Sequence, residues 1–210
     1  TSLSPNRYCQ FLNGASISNR GSYTVLPISR NGNDSGIRYQ AGRVEIEVKA
    51  DGSTEVTKHY AMGRSANELS LVMPDEKTVY ITDDGTNTAL LMYVAEDKKG
   101  RDLPRGDLSQ GTLYAGVWVQ TADTAEGGSA TLEWINLGHA RADDIKQAVD
   151  SGLSFDELFD YETPNADGTC PTLESINSGH GGPYHECLSI KGDESIVSRL
   201  AGEPALTDEE

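Results

Sequence analysis

Hydrophobic and polar residues alternate with a period of two along much of residues 42–138. In the first such stretch, Val44–Val48, the apolar residues are separated by charged ones, as in a strand with one buried face. Asp51-Gly52 then supplies a tight turn, and Glu55–Tyr60 is predicted to return as the hairpin partner. The pattern therefore predicts an antiparallel hairpin at the start of this region.

Further strands follow with the same alternation and with turn residues between them. They are Leu69–Met73, Thr78–Thr82, Ala89–Val94, Thr112–Val119 and Ala130–Ile135. Short connections without intervening helices favour antiparallel meanders, the arrangement found in β-propeller blades. Because a closed propeller typically needs about four to eight blades and these strands fill about two, we expect a partial or open propeller.

A helical period appears only in the C-terminal third. Residues 140–151 predict a helix that ends at Gly152, and Ser154-Phe-Asp-Glu157 is a capping box that opens a second, short helix. A third helix is predicted from Asp193, whereas residues 161–192 are interpreted as loop-like. The predicted fold class is thus mainly β, with a few short helices near the C-terminus.

The chain is predicted to be a single β-rich domain, or a fragment of a larger propeller. It divides into an irregular N-terminal segment (1–41), strand meanders (42–138) and a helix and loop insert with a solvated tail (139–210).

Charge excludes some partners. The chain has 17 Lys and Arg against 33 Asp and Glu, a formal net charge of −16 at pH 7. Such a chain would repel a polyphosphate backbone, so a nucleic-acid partner is not expected. The balance also fits a secreted protein, a salt-adapted one, or one that binds cations on carboxylates. No apolar run reaches the length of about 18 residues needed for a membrane span, so none is expected.

The sequence Asp83-Asp84-Gly85-Thr86-Asn87 directly follows a predicted strand and is the strongest candidate for chemistry. Adjacent carboxylates on a glycine-containing turn can converge on a hard cation such as calcium. The same residue types also build ordinary hairpin turns, so both interpretations fit. Glu68 lies at the start of another strand, where it is either a second ligand or a solvated strand-end residue.

Cysteine spacing leaves two alternatives for Cys170 and Cys187, which are either joined in a disulfide or free and partly buried thiols. Cys187 also ends the segment Ser178–Cys187, which contains His180 and His185. The spacing of the two histidines and the cysteine matches no standard zinc site. The segment is therefore either a metal site or a loop closed by a disulfide.

Two tryptophans, Trp118 and Trp134, fall within predicted strands and are expected in the core. No G-x-S-x-G, P-loop or G-x-G-x-x-G motif occurs, which argues against common serine hydrolases, nucleotide kinases and dinucleotide oxidoreductases.

Several of these segments together resemble the PhoX-type alkaline phosphatase family. The segments are Gly42–Glu47, Ala61–Arg64, Asn67-Glu68, Lys77–Asn87, Leu91–Ala95, Gly106–Ala115 and Leu132–His139. The resemblance covers about residues 42–200 and is most specific at Lys77–Ala95.

This resemblance implies a β-propeller that is secreted or periplasmic and that hydrolyses phosphate monoesters with a cluster of calcium and iron. Glu68 resembles the family's metal-ligand glutamate, and Asp83 and Asp84 resemble its paired aspartates. Cys9 would stand in place of the N-terminal cysteine of the family, although the motif around it is not recognisable.

Family members are usually at least twice as long as this chain. The alternative to a phosphoester hydrolase, or a fragment of one, is therefore a non-catalytic, calcium-stabilised extracellular module. Such a module would associate with itself or with a missing remainder of the chain.

Overall fold

The structure is a computed structural model. It describes residues 10–11, 43–48, 50–64, 69–82, 89–97, 106–123, 127–177 and 185–201.

Within these residues the chain is mainly β, as predicted. The strands are β1 (Gln10–Phe11), β2 (Arg43–Val48), β3 (Thr54–His59), β4 (Leu69–Val72), β5 (Thr78–Thr82), β6 (Leu90–Asp97), β7 (Gly106–Ala122), β8 (Ser129–Arg141), β9 (Phe159–Glu162), β10 (Glu174–Asn177) and β11 (His185–Ile190). The helices are α1 (Ala142–Ser151), α2 (Phe155–Leu158) and α3 (Glu194–Ala201), and a 3-10 turn spans Tyr60–Met62.

Three antiparallel sheets contain these strands. The central sheet has the order β4-β5-β6-β7-β8, so its neighbours in space are also neighbours in sequence. This is the meander that the alternation predicted, and β5 has the predicted bounds. A smaller sheet, β1-β2-β3, contains the predicted hairpin; β1 lies in the segment predicted to be irregular.

The main core lies on one face of the central sheet, against the 3-10 turn. Its buried residues are Ala61, Met62, Val79, Ile81, Leu91, Tyr93, Ala95, Leu113, Ala115 and Leu137. On β5 and β6 these residues occupy every second position, which is why the period of two was visible in the sequence.

A second core joins the three helices to β9 and β11. It contains Ala140, Ile145, Val149, Phe155, Leu158, Phe159, Leu188, Val197 and Leu200. The predicted C-terminal end of the first helix and the predicted start of the second are confirmed, whereas residues 140 and 141 belong to β8. Gly152 closes α1 in the left-handed conformation, with φ 72°, and the backbone N–H of Ser154 donates to the carboxylate of Glu157 at 2.7 Å.

The interpretation of residues 161–192 as loop-like was wrong where they form the end of β9 and all of β10 and β11, which make up one sheet, and right for residues 163–173. On β11 the adjacent residues Cys187 and Leu188 are both buried. Adjacent positions point to opposite faces of a strand, so a strand covered on both faces has no period of two. The sequence therefore lacked the signal that revealed the central sheet.

The prediction that Trp118 belongs to the core was also wrong, since 65% of this residue is exposed. β7 and β8 continue beyond the other strands as a two-stranded ribbon, in which Trp118 pairs with Leu132. Alternation correctly indicated a strand at Trp118 but not how far that strand extends past its neighbours. Trp134 is half-buried on the same sheet.

The helices are short. Among the described residues, none of them has the length and apolar character needed to cross a lipid bilayer.

Candidate functional site

The predicted metal ligands Glu68, Asp83 and Asp84 lie outside the described residues, but their neighbours in the chain are described. Leu69, which follows Glu68, is the register partner of Thr82, which precedes Asp83. The backbone N–H of Leu69 also donates to Oγ1 of Thr82 at 3.1 Å. The first residue of β4 and the last residue of β5 therefore meet at one end of the central sheet.

The start of β6 lies at this same end. Leu90 is the register partner of Thr82 on its other side. A Cβ built on Gly116 of β7 would lie 3.1 Å from the carbonyl oxygen of Leu90, so β7 passes close by. The connection from Thr82 to Leu90, whose sequence includes Asp83 and Asp84, thus starts and finishes at the end of the sheet where β4 begins.

A described turn aspartate illustrates the alternative interpretation of Asp83-Asp84. The carboxylate of Asp75 accepts hydrogen bonds from the backbone N–H groups of Thr78 at 2.9 Å and Lys77 at 3.0 Å. These bonds, that of Thr78 most strongly, hold the pKa of Asp75 below its ordinary value. Aspartates of this protein do serve as turn acceptors, so the turn interpretation remains open beside the metal one.

A buried arginine on α3, Arg199, lies toward the opposite end of the sheet, where Gly111, one of its acceptors, pairs with Ala95. It is 1% exposed, and its guanidinium donates to four backbone carbonyl groups. The acceptors are Ala61 at 2.6 Å, Ser195 at 2.7 Å, Gly138 at 3.0 Å and Gly111 at 3.1 Å. One side chain therefore links the 3-10 turn, α3, β8 and β7.

Burial shifts the pKa values of two side chains in this region, Arg199 and Tyr93. It lowers the pKa of Arg199 to about 10, which still leaves the guanidinium charged at neutral pH. Burial also raises the pKa of the nearby Tyr93 hydroxyl, which donates to the carbonyl oxygen of Leu108 at 3.2 Å. At neutral pH the charged guanidinium of Arg199 and the neutral phenol of Tyr93 thus both donate hydrogen bonds to carbonyl oxygens.

A second buried arginine, Arg43 of β2, acts on the same turn. Its Nη1 donates to the carbonyl oxygens of Met62 and Gly63 at 2.9 Å each, and the residue is 2% exposed. The backbone N–H of Arg64 donates to the carbonyl oxygen of Arg199 at 3.1 Å. The segment Ala61–Arg64, which precedes Glu68 in the sequence, is therefore anchored by two arginines.

Sequence reasoning missed both arginines. Alternation placed Arg43 with the polar residues of its strand, whereas the structure buries it. A charged side chain can be buried when carbonyl groups satisfy it, and here all of these except that of Ser195 come from residues distant in the sequence. No local pattern signals such partners.

The cysteine alternatives are resolved, because Cys170 and Cys187 form a disulfide with their Cα atoms 5.6 Å apart. Cys187 is therefore not a metal-ligating thiolate. His180 and the side chain of His185 lie outside the described residues. In the described part of the chain, no three His, Cys, Asp or Glu side chains form a group that could hold a metal ion.

Comparison with known proteins gives a family. The model of the family described as alkaline phosphatase PhoX matches residues 38–168, more than half of the chain. The matched part contains β2 to β9, the segment Ala61–Arg64 and the three predicted metal ligands. Neither a curated protein nor a solved structure matches. The chain belongs to the PhoX alkaline phosphatase family.

Proposed function

We propose that this protein is an exported, metal-dependent phosphoester hydrolase that acts on phosphate monoesters. The observation that carries the proposal is the pairing of Leu69 with Thr82 within the part of the chain that matches the family. The residues next to this pair in the sequence, Glu68 and Asp83, are two of the three acidic residues that resemble the family's metal ligands.

The donor chemistry fits the proposed ions. Glu68, Asp83 and Asp84 offer carboxylate oxygens, which calcium prefers and which also suit iron. When bound, these ions would neutralise the charge of a phosphate ester and polarise its P–O bond. That neutralisation matters because a chain with a net charge of −16 otherwise repels an anionic substrate.

The described residues would position the ligands. Pairing of Leu69 with Thr82, reinforced by the Thr82 hydroxyl, fixes the strand ends from which Glu68 and Asp83 continue. Arg199 and Arg43 anchor the backbone that precedes Glu68. In this proposal the two arginines have no contact with substrate and act only by holding the backbone.

Export to the periplasm or the extracellular space is supported by the disulfide between Cys170 and Cys187. Structural disulfides persist in oxidising compartments and are rare where thiols are kept reduced.

A second candidate function is the non-catalytic, calcium-stabilised module. It is favoured by β4, an edge strand of the central sheet on which Leu69 and Leu71 are 58% and 53% exposed. An exposed apolar edge strand readily takes another chain as a partner.

One experiment separates the two functions. The chain is stripped of metal with a chelator, resupplied with calcium and iron, and assayed for p-nitrophenyl phosphate turnover and thermal unfolding. A hydrolase recovers turnover with metal. The non-catalytic module shows no turnover above buffer but unfolds at a higher temperature with calcium. A folded chain that shows neither response contradicts both proposals.

A further inference from the structure

One row of side chains crosses the central sheet at the end where the candidate site lies. It begins with the register partners Leu69 and Thr82, and Leu90 pairs with Thr82 on the other side. It finishes with Gly116 and Trp134, which are register partners on β7 and β8. A Cβ added to Gly116 would lie 3.6 Å from Cβ of Leu90, so the two halves of the row meet. Trp134 is therefore in the same row as the two residues that adjoin predicted ligands in the sequence.

The glycine at position 116 gives the indole of Trp134 room to lie across β7. A Cβ added there would be 3.3 Å from the indole ring, which is tighter than ordinary contact. The indole approaches Tyr80 of β5, with ring centroids 5.9 Å apart and ring planes tilted by 40°. Because β6 and β7 separate the strands that carry the two residues, the rings meet above the strands between them. Both residues are half-buried, so part of this aromatic pair is accessible.

The aromatic pair lies close to the end of β5. Tyr80 is two residues before Thr82, the last residue of this strand, a separation of about 6.8 Å along the strand. Side chains two residues apart on a strand point to the same face, so Tyr80 and Thr82 share a face of the sheet. Asp83 and Asp84 come directly after Thr82 in the sequence. The rings thus adjoin the strand end from which two of the three predicted ligands continue.

The surface around the aromatic pair is uncharged, although the same face carries charges farther along the sheet. The row that ends in Trp134 has no charged member, and neither has the next row inward, which consists of Leu71, Tyr80, Met92, Tyr114 and Asn136. The register partners Thr112–His139 and Gln110–Arg141 bring charge to the face toward its opposite end, where Glu96 pairs with His139. A molecule that contacts the aromatic pair therefore meets apolar and neutral polar groups.

We propose that Trp134 and Tyr80 bind the alcohol part of the substrate, and that the substrates are phosphate monoesters of aromatic alcohols. This inference rests on the proposed function, since it takes the phosphate to be bound by the ligands predicted next to Thr82. Only one oxygen separates the phosphorus of an aryl ester from its ring, so a subsite for that ring has to adjoin the phosphate. The aromatic pair meets this requirement through its place beside the end of β5.

The chemistry of the surface selects the alcohol. A flat ring packs well against aromatic side chains. A charged alcohol would lose its hydration on the uncharged rows without gaining an ion pair there. A phenolic ester therefore suits this surface better than an ester whose alcohol carries a carboxylate or a second phosphate. In this role Trp134 determines specificity and has no contact with the phosphate.

The test compares hydrolysis of phenyl phosphate and β-glycerophosphate by the full chain, with calcium and iron supplied. Trp134→Ala should raise KM for phenyl phosphate at least about fivefold, as for the loss of a stacking platform. It should leave kcat within about twofold, because the ring contact is the same in the ground state and the transition state. KM for β-glycerophosphate should also stay within about twofold, since glycerol has no ring to stack. Trp134→Phe keeps a ring and should recover most of the loss.

Tyr161→Ala is the matched control. Tyr161 is also an accessible aromatic residue on a strand, 51% exposed, but it belongs to the sheet β10-β11-β9. Its substitution should leave both KM values within about twofold. Near-UV circular dichroism, together with unchanged turnover of β-glycerophosphate, shows that Trp134→Ala is folded.

Fluorescence gives a readout that needs no turnover. The chain has two tryptophans, so Trp118→Phe leaves Trp134 as the sole emitter of this kind. Phenylphosphonate, which is not hydrolysed, should change the emission of Trp134 saturably. Methylphosphonate presents the same charged group without a ring and should leave the emission unchanged.

The outcomes separate this inference from the proposed function. Turnover of both esters with KM values that Trp134→Ala changes equally would overturn the inference and leave the proposed function standing. Emission of Trp134 that phenylphosphonate does not alter would also overturn the inference. A folded wild type that hydrolyses neither ester contradicts the proposed function, and the inference then fails with it.

Discussion

Arg199 and Ala61 are 138 residues apart in the sequence, and Nε of Arg199 donates to the carbonyl oxygen of Ala61 at 2.6 Å. This bond connects the C-terminal helix to the segment that precedes Glu68. Together with the bonds to Gly111 and Gly138, it makes the guanidinium a common attachment point for the central sheet and α3.

Arg199→Ala should therefore be strongly destabilising. The change removes the donors of three buried carbonyl groups and one partly buried carbonyl group, and it leaves a cavity, which together cost about 3–5 kcal/mol. Urea denaturation followed by circular dichroism measures this loss. Arg141→Ala, at an exposed position at the end of β8, is the control and should change stability by less than about 0.5 kcal/mol. Equal effects of the two substitutions would show that Arg199 does not anchor the fold.

The disulfide should stabilise the sheet β10-β11-β9. Cys170 and Cys187 close a loop of 17 residues, and a cross-link of that size contributes roughly 3 kcal/mol. The double variant Cys170→Ser and Cys187→Ala keeps the buried position of Cys187 apolar and should unfold at a lower temperature than the wild type. Dithiothreitol should lower the unfolding temperature of the wild type and leave that of the double variant unchanged. A wild type insensitive to the reductant under unfolding conditions would contradict this role.

Stability should fall on acidification, with Asp75 as one source of the loss. Hydrogen bonds, first of all from the N–H of Thr78, lower the folded-state pKa of Asp75 below its ordinary value. A carboxyl group with a lowered pKa stabilises the fold above its unfolded pKa and loses that contribution as pH falls through its folded pKa. The unfolding temperature should thus drop between about pH 5 and pH 2.

Asp75→Asn removes this titrating group and should make the acid-induced drop smaller. Asp143→Asn, at an exposed residue of the first turn of α1, is a control of the same chemistry. If both variants keep the full drop of the wild type, the hydrogen bonds of Asp75 do not contribute to its pH dependence.

The strands of the central sheet could be predicted because one of their faces is buried and the other is not. Val79 and Ile81 are buried, while Tyr80 between them is only partly buried. Such a difference between the two faces produces the period of two that the sequence shows. The capping box at Ser154 was equally readable, since both of its members lie within four residues.

The missed features depend on contacts that are distant in sequence. Cys187 and Leu188 are both buried because β11 is covered on both faces, and Trp118 is exposed because the β7–β8 ribbon extends past its neighbours. Apart from Ser195, four residues before Arg199, the acceptors of Arg43 and Arg199 lie 19 to 138 residues away. A local pattern contains none of this information.

For the candidate site, the sequence predicted both the acidic residues and the strands that flank them. The structure adds that Leu69 and Thr82 are paired, so the start of β4, which Glu68 precedes in the sequence, and the end of β5, which Asp83 follows, lie together. The ligand roles of Glu68, Asp83 and Asp84 stay predictions, because they rest on the family resemblance and on this register.

The central claim is that these carboxylates bind metal for phosphoester hydrolysis, and one measurement tests it most directly. It is the rate of p-nitrophenyl phosphate hydrolysis with calcium and iron supplied, in the wild type, Asp83→Asn and Asp51→Asn. Asp51 is the control, since it is an aspartate in the turn between the paired strands β2 and β3 and is not one of the predicted ligands. We predict metal-dependent turnover that falls at least about 100-fold in Asp83→Asn, as for the loss of a group essential to catalysis, and stays near wild type in Asp51→Asn. Turnover by a folded wild type no faster than buffer, or equal rates in the two variants, would contradict the account.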